Sequence, residues 1–416
     1  MSQNVDVMVL GAGIVGTASA LQIQAKGRLV ALIDLHGEAG RETSFGNAGL
    51  IERASLTPYL LPMEPLTLLR YALNASPQVH YHPDALLEMM PWIIAYGLNS
   101  RAAAKARIGA ALLPLISTCV TEHETLMKAA GALDLCRHTG WIKLFRSQKE
   151  FAKASAEAVG LRAAGLTIDQ LSVADLARLE PDLHGGIGAL HFRDPAFVPD
   201  PLALTTAYAR HFEHSGGIML SGDARGLEQT TDGWRLMTSS GGLTARQVLL
   251  ALGPWSAEVL RPLGYRVPLG IKRGYHMHYG TQQGAKLNHP VLDDEGGYLL
   301  APMNQGIRLT TGAEFARFDA PPSPVQLDAV EPVARKLFPL TERLDKEAWM
   351  GRRPCLPDMM PVMGEAPRHK GLWLNFGHQH HGLTLAAVTG RLTAEMMTGE
   401  VPFANPAPFA ITRFQK

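Results

Sequence analysis

Glycines at positions 11, 13 and 16 of Gly11-Ala12-Gly13-Ile14-Val15-Gly16 strip the side chains from a turn, and that spacing lets a phosphate group approach the backbone. Gly11 permits the tight turn, Gly13 brings the backbone to a pyrophosphate, and Gly16 lets a helix pack closely on a strand. Ile14 and Val15 lie in the turn that leads into that helix, whose free N–H groups and dipole favour negative charge. Asp34 lies downstream at the end of an apolar run, placed to accept hydrogen bonds from a ribose. The pattern reads as a dinucleotide site and leaves NAD and FAD both open.

The elements that must position these residues follow from periodicity. Val5 and Val7–Leu10 read as a strand, Thr17–Lys26 as a helix and Leu29–Ile33 as a second strand. Arg41–Leu50 is small and hydroxylated, hence a loop, and Tyr59 to about Leu133 is a mainly helical block that interrupts the α/β alternation like an inserted cap. Expected next are a strand Trp141–Phe145, helices Lys149–Ala164 and Ser172–Leu179, a strand Gly188–Phe192 and an amphipathic helix Pro201–Ser215. Strands follow at Ile218–Ser221, Gly226–Gln229, Trp234–Thr238 and Val248–Leu252, the last running into Ala251–Ser256. A second sheet is expected from His276–Tyr279, Tyr298–Ala301 and Arg308–Gly312, with a helix Val325–Phe338. The chain then returns through Arg352–Asp358 and a strand Leu372–Asn375 to a final helix Leu383–Thr398.

Composition narrows the class. With 416 residues, 46% apolar, 19% charged and a net charge of +1, the chain can build two substantial cores, and nothing points to a nucleic-acid groove. Its 3 cysteines, Cys119, Cys136 and Cys355, lie far apart without a C-x-x-C pair, which argues against a disulfide framework or a zinc site and for a reducing compartment. The first strand begins almost at once, so no signal peptide is expected. Met89–Ser100 and Ile108–Thr121 are apolar, too short to cross a membrane, and read as core helices; a peripheral membrane or quinone-facing surface is the alternative.

Four segments together resemble the flavin-dependent amine and D-amino-acid oxidoreductases, most closely the bacterial D-amino-acid dehydrogenases. They are Gly11–Gly16 with Asp34, the loop Glu42–Gly49, the Ala251–Ser256 exit, and Gly351–Gly364 followed by Asn375–Thr384. The resemblance spans the chain and implies noncovalent FAD. By it, Thr43, Ser44, Asn47, Ala48, Gly49 and Leu50 pass beside the ribityl chain and flavin ring, and Arg225, Ala251, Gly253 and Trp255 join the cofactor set. Gly377, Gly382, Leu383 and Thr384 fall at the pyrimidine edge, where a helix N-terminus stabilises the charge of reduced flavin.

The resemblance also nominates substrate residues. Arg353, in an Arg-Pro pair, is the expected clamp on the substrate carboxylate, the plainer alternative being an ion pair with Asp358. Tyr298 would assist at the same carboxylate or be a core aromatic, and Arg273 would reach the substrate or only the flavin. His380 would shape specificity or poise a proton near neutral pH. His378, His380 and His381 crowd too closely in an extended loop to face one ion, so no metal is expected.

The reading is therefore an α/β protein with an α+β cap. A Rossmann-like FAD-binding domain is discontinuous over residues 1–54, 198–262 and 352–416, and residues 55–197 and 263–351 form a substrate domain on a mixed or antiparallel sheet flanked by helices. The implied activity is oxidative deamination of small amino acids, D-amino acids first, with oxygen or a quinone-linked chain as acceptor. Oxidation of secondary amines such as sarcosine or proline, or a flavoprotein relay without an amine substrate, are the alternatives. A cytoplasmic location, with peripheral contact to the inner membrane as a secondary expectation, completes it.

Overall fold

The computed structural model describes residues 3–56, 60–62 and 64–415; the expected start of the helical block at Tyr59 lies outside them. Val5 and Val7–Leu10 are buried on both faces of the strand Gln3–Leu10, as the centre of a covered parallel sheet requires. That strand runs parallel between Val30–Asp34 and Gly241–Leu250, and Ile218–Ser221 extends the sheet beyond Val30–Asp34. Gly241–Leu250 serves two further neighbours. Its first half pairs antiparallel with Gly233–Thr238 and its end pairs parallel with Leu372–Phe376. Glu228–Thr230 and Val362–Glu365 complete eight strands.

The helices Ile14–Ala25 and Gly382–Thr398 pack against each other, so a Cβ on Gly390 would come 3.1 Å from the Ser19 backbone. Asn375 Nδ2 donates to Ser19 Oγ at 3.0 Å and ties the returning chain to the first helix.

The second sheet has eleven strands, nine of them in the order Val79–Tyr81, Ala313–Phe315, Gly270–Thr281, Gly306–Thr311, Tyr298–Met303, Val291–Asp293, Trp141–Phe145, Gly188–Phe192, Ile168–Leu171. Leu340–Arg343 and Trp349–Cys355 join it on Gly270–Thr281. It is mixed: Val291–Asp293 is parallel to Trp141–Phe145 and Ala313–Phe315 to Val79–Tyr81, the rest antiparallel.

Several expectations need correction. The expected strand Gly226–Gln229 is a 3-10 turn, Ala224–Gly226, followed by a strand that starts at Glu228. Trp349–Cys355 stays in the second sheet, so a boundary at 352 would cut a strand. The expected cap includes Ala102–Ala129, a helix twice as long as the apolar run that marked it. Its Ile108, Leu112, Leu115 and Ile116 share one core with Leu383, Leu385 and Val388, and His123 Nε2 bonds the Leu383 carbonyl at 2.6 Å, so it packs on the nucleotide side. Length and apolarity alone would let this helix cross a membrane; that buried face places it in the core. Leu86–Asn99 is a core helix on one face only. Trp92 and Tyr96 are buried, whereas Leu87, Ile94 and Leu98 are exposed at helical spacing.

Candidate active site

A cavity of about 700 Å³ runs from the glycine turn to the second sheet. At one end Gly11 has φ of +100°, and a Cβ there would stand 2.7 Å from the Ala251 carbonyl oxygen. Gly13 is the N-cap of Ile14–Ala25 without a side-chain cap, and the Ile14 amide donates to Ser44 Oγ at 2.9 Å. The first helical turn is therefore left with orphan N–H donors facing the cavity. Asp34 accepts the Ala12 and His36 amides, each at 3.1 Å, which fixes its carboxylate at the cavity edge with lone pairs to spare.

The Glu42–Gly49 loop is pinned to the second sheet and to itself. Thr43 Oγ1 donates to the Arg352 carbonyl at 3.0 Å, the Gly49 amide to Asn47 Oδ1 at 2.9 Å, and Arg308 Nη1 to the Asn47 carbonyl at 2.6 Å. Arg308 is itself buried, held by His278 Nε2, whose other ring nitrogen faces Asp345. Gly46 admits Trp349, whose ring would lie 1.9 Å from a Cβ at that position. A second uncapped helix start, Gly382–Thr398, faces the cavity with Gly382, Leu383 and Thr384. Thr384 Oγ1 accepts the Glu52 amide at 3.0 Å and donates to the Leu50 carbonyl at 3.2 Å.

Of the expected cofactor residues, Gly11, Gly13, Ile14, Val15, Asp34, Thr43, Ser44, Asn47, Ala48, Leu50, Ala251, Gly253, Trp255, Gly382, Leu383 and Thr384 line this one cavity. Gly16, Gly49 and Gly377 shape it from behind. A Cβ would meet the Gly11 carbonyl oxygen at 1.8 Å, the Val198 carbonyl oxygen at 2.3 Å and Leu356 at 2.7 Å, respectively. Arg225 is not among the lining residues: it sits exposed on the 3-10 turn and pairs with Asp223 at 2.7 Å.

At the other end stands Arg353. Its guanidinium donates to the Gly312 carbonyl at 2.9 Å, and among the described residues no carboxylate pairs with it. Asp358 binds Arg413 instead, at 2.7 Å, so the plainer alternative for Arg353 fails. Burial pulls its pKa below the usual guanidinium value. Gly274 makes the space, since a Cβ there would lie 2.3 Å from Arg353 Nη2.

Two expectations change here, at Arg273 and at His380. Tyr298 lines the cavity, and its hydroxyl oxygen accepts from Arg146 Nη2 at 3.2 Å beside the Arg146–Asp293 ion pair, which anchors the ring in the wall. Arg273 points away from the cavity, to Glu314 at 2.5 Å and Tyr275 at 2.8 Å. His380 lines the cavity, yet burial, His381, Arg353 and Lys272 push its imidazole well below its ordinary pKa, so it is neutral and poises no proton near pH 7. His378 bonds Thr389 at 3.1 Å and His381 bonds Ser55 at 3.0 Å, so these rings diverge. His80, His82 and Glu314 do bring ligand atoms within 4.8 Å of one another. The Glu314 oxygens, however, are already taken by Arg273, Tyr275, Ser323 and His82, and the Arg273 charge opposes a cation.

Two lining residues escaped sequence reasoning. Glu52 is buried with Oε1 lacking a hydrogen-bond partner among the described residues, and burial raises its pKa to about 7. Lys272 is buried with its ammonium over Tyr96 at 4.0 Å and Trp92 at 5.1 Å, and burial, with Arg353 adding to it, pulls its pKa down to about 8. No local signal marks either residue, because their burial is set by distant chain.

Comparison with known proteins decides the family. The model of the FAD-dependent oxidoreductases matches residues 6–396. The chain belongs to that family. This flavoenzyme is 28% identical to a D-amino-acid oxidase of Bradyrhizobium diazoefficiens over all of both chains. It is 29% identical to a D-amino acid dehydrogenase of Cereibacter sphaeroides over 98% of this chain and 95% of that one. Its fold matches glycine oxidase from Geobacillus kaustophilus (TM-score 0.75, 23% identity, 99% of both chains) and L-proline dehydrogenase from P. horikoshii (TM-score 0.74, 16% identity, 100% and 99%). The residues fit FAD, because both helix starts that face the cavity are uncapped and the glycine turn leaves room for a diphosphate.

Proposed function

We propose that the enzyme oxidises the α-carbon of small amino acids, D-amino acids first, and that Arg353 binds the substrate carboxylate. The observation that carries this reading is Arg353 itself, a half-buried guanidinium on the cavity wall whose partners are backbone carbonyls and which has no carboxylate partner among the described residues. A partly buried cation without an anion is unfavourable, and a substrate carboxylate relieves that while being held in a bidentate fork. FAD, when bound, accepts the hydride that leaves Cα.

The chain's own residues orient and exclude. The Gly11–Gly16 turn and Asp34 would hold the adenosine diphosphate half, and the Thr43–Leu50 loop with Gly382–Thr384 would hold the ring half. Tyr298, neutral His380 and the aromatic wall keep water from the reacting carbon. The oxidised amine is an imine, which water hydrolyses to a 2-oxo acid and ammonia. Equimolar 2-oxo acid and ammonia from a D-amino acid support the reading. Turnover of only sarcosine or proline moves the enzyme to the secondary amines, and no turnover of any amine removes the proposal.

The exposed Leu66 and Leu69 of the helix Pro65–Ala72, with Leu73 at its C-cap, and the exposed Leu87, Ile94 and Leu98 of Leu86–Asn99 are apolar side chains in water, and they favour peripheral contact of a cytoplasmic enzyme with a lipid surface. Co-sedimentation with vesicles, lost when these leucines become serine, tests that contact.

A further inference from the structure

The strand Trp349–Cys355 lies antiparallel to Gly270–Thr281 with Arg353 directly opposite Lys272. Residues directly opposite project from the same face, so both cations enter the same cavity, and Arg273 goes to the other face. Phe315, opposite Lys272 on the far side, completes a row of Arg353, Lys272 and Phe315 across three strands. Two like charges opposite each other in a buried wall oppose folding. Neither has a carboxylate partner among the described residues, and Lys272 donates to no hydrogen-bond acceptor there. The rings of Tyr96, Trp92 and Phe315, at 4.0, 5.1 and 5.6 Å, shelter the ammonium without neutralising it. Trp92 is fixed in this cage by its own bond to the Cys355 carbonyl at 3.1 Å. A monocarboxylic amino acid supplies one negative charge for these two cations, leaving one unanswered.

We propose that Lys272 and Arg353 form a two-cation site that selects amino acids bearing a second carboxylate, with Arg353 taking the α-carboxylate and Lys272 the side-chain carboxylate. This deepens the amino-acid reading above and rests on it for the reaction, but not for binding. The aromatic cage limits the side chain to short acids, of the aspartate and glutamate class.

The test uses the FAD-loaded protein and two readouts. Inert acids are titrated while the visible spectrum of the bound flavin is followed, with succinate and glutarate against propionate and butyrate. The dicarboxylates are expected to bind at least tenfold more tightly, and Lys272→Met to bring that ratio within threefold of one. Lys272→Arg, which keeps the charge, is expected to keep the preference in part. In turnover, D-aspartate or D-glutamate is expected to exceed D-alanine in kcat/KM by at least tenfold. Equal binding of mono- and dicarboxylates by the wild-type protein overturns the proposal, whatever the variants do. A preference that survives Lys272→Met overturns the role of Lys272. Dicarboxylate binding without flavin reduction by any amine leaves the two-cation site standing and removes the amino-acid reading; reduction by D-alanine with no dicarboxylate preference does the reverse.

Discussion

Replacing Arg353 by methionine sets two consequences of one buried charge against each other. The guanidinium holds only the Gly312 carbonyl closely, at 2.9 Å, and faces the Lys272 cation across the strand pair. In the substrate complex its loss leaves a buried carboxylate without its fork, which costs about 3–5 kcal/mol. At about 1.4 kcal/mol per tenfold, that is a fall in kcat/KM of roughly two to three and a half orders of magnitude, mostly in KM. In the free protein the same change removes a half-buried charge without a carboxylate partner that faces a second cation, a gain on the order of 1–2 kcal/mol once solvent screening is allowed for. The melting temperature of the FAD-loaded protein without substrate therefore rises, by about 2 °C or more. Anaerobic rapid mixing gives the substrate constant and the flavin reduction rate separately, and scanning fluorimetry gives the melting temperature. A kcat/KM within threefold of wild type, or a variant that melts several degrees lower, refutes the reasoning.

Gly16→Ala should abolish cofactor retention, because the new methyl would stand 1.8 Å from the Gly11 carbonyl oxygen; purified variant is expected to be colourless, read from its visible absorbance per protein. Asp34→Ala should weaken FAD binding about tenfold to a hundredfold through loss of charge-assisted hydrogen bonds, and unchanged retention on dialysis counts against the ribose role. Glu52 carries a pH signature. Its folded pKa, about 7, lies above its ordinary value of 4.5, so the folded protein holds the proton more tightly. Stability contributed by the neutral acid is full below about pH 4.5 and is lost as pH rises towards 7, a change of roughly 3 kcal/mol. Glu52→Gln should flatten denaturant midpoints across that window, and an unaltered pH dependence contradicts the buried acid.

The nucleotide end was legible because its requirements are local. A turn without side chains, a helix start and an acid at the next strand's end are consecutive in sequence, and Gly11, Gly13 and Asp34 line the cavity. The second sheet was less legible. Val79–Tyr81, Ile168–Leu171 and Val291–Asp293 are three or four residues long and gain their strand character from neighbours far along the chain. The substrate end depends on register. Lys272 and Arg273 are adjacent and both cationic, and only pairing with a strand some eighty residues away sends one into the cavity and the other to Glu314. Arg353 and Asp358 are five residues apart, near enough in sequence for an ion pair to stand as the alternative to the clamp, but Arg413 from the chain's end takes the aspartate. Arg225 was misplaced because its position follows a strand of the nucleotide sheet while its side chain turns to solvent. Tyr298 shows the same limit, since its hydroxyl goes to Arg146, which no short-range pattern links to it.

The most direct test of the central claim is anaerobic titration of the purified yellow protein with each enantiomer of aspartate and alanine. Bleaching of the flavin absorbance by a D-enantiomer, stoichiometric with 2-oxo acid formed and absent in Arg353→Met at the same concentration, is the predicted result. A flavin that stays oxidised with every amino acid, or that bleaches as readily in Arg353→Met, contradicts the account.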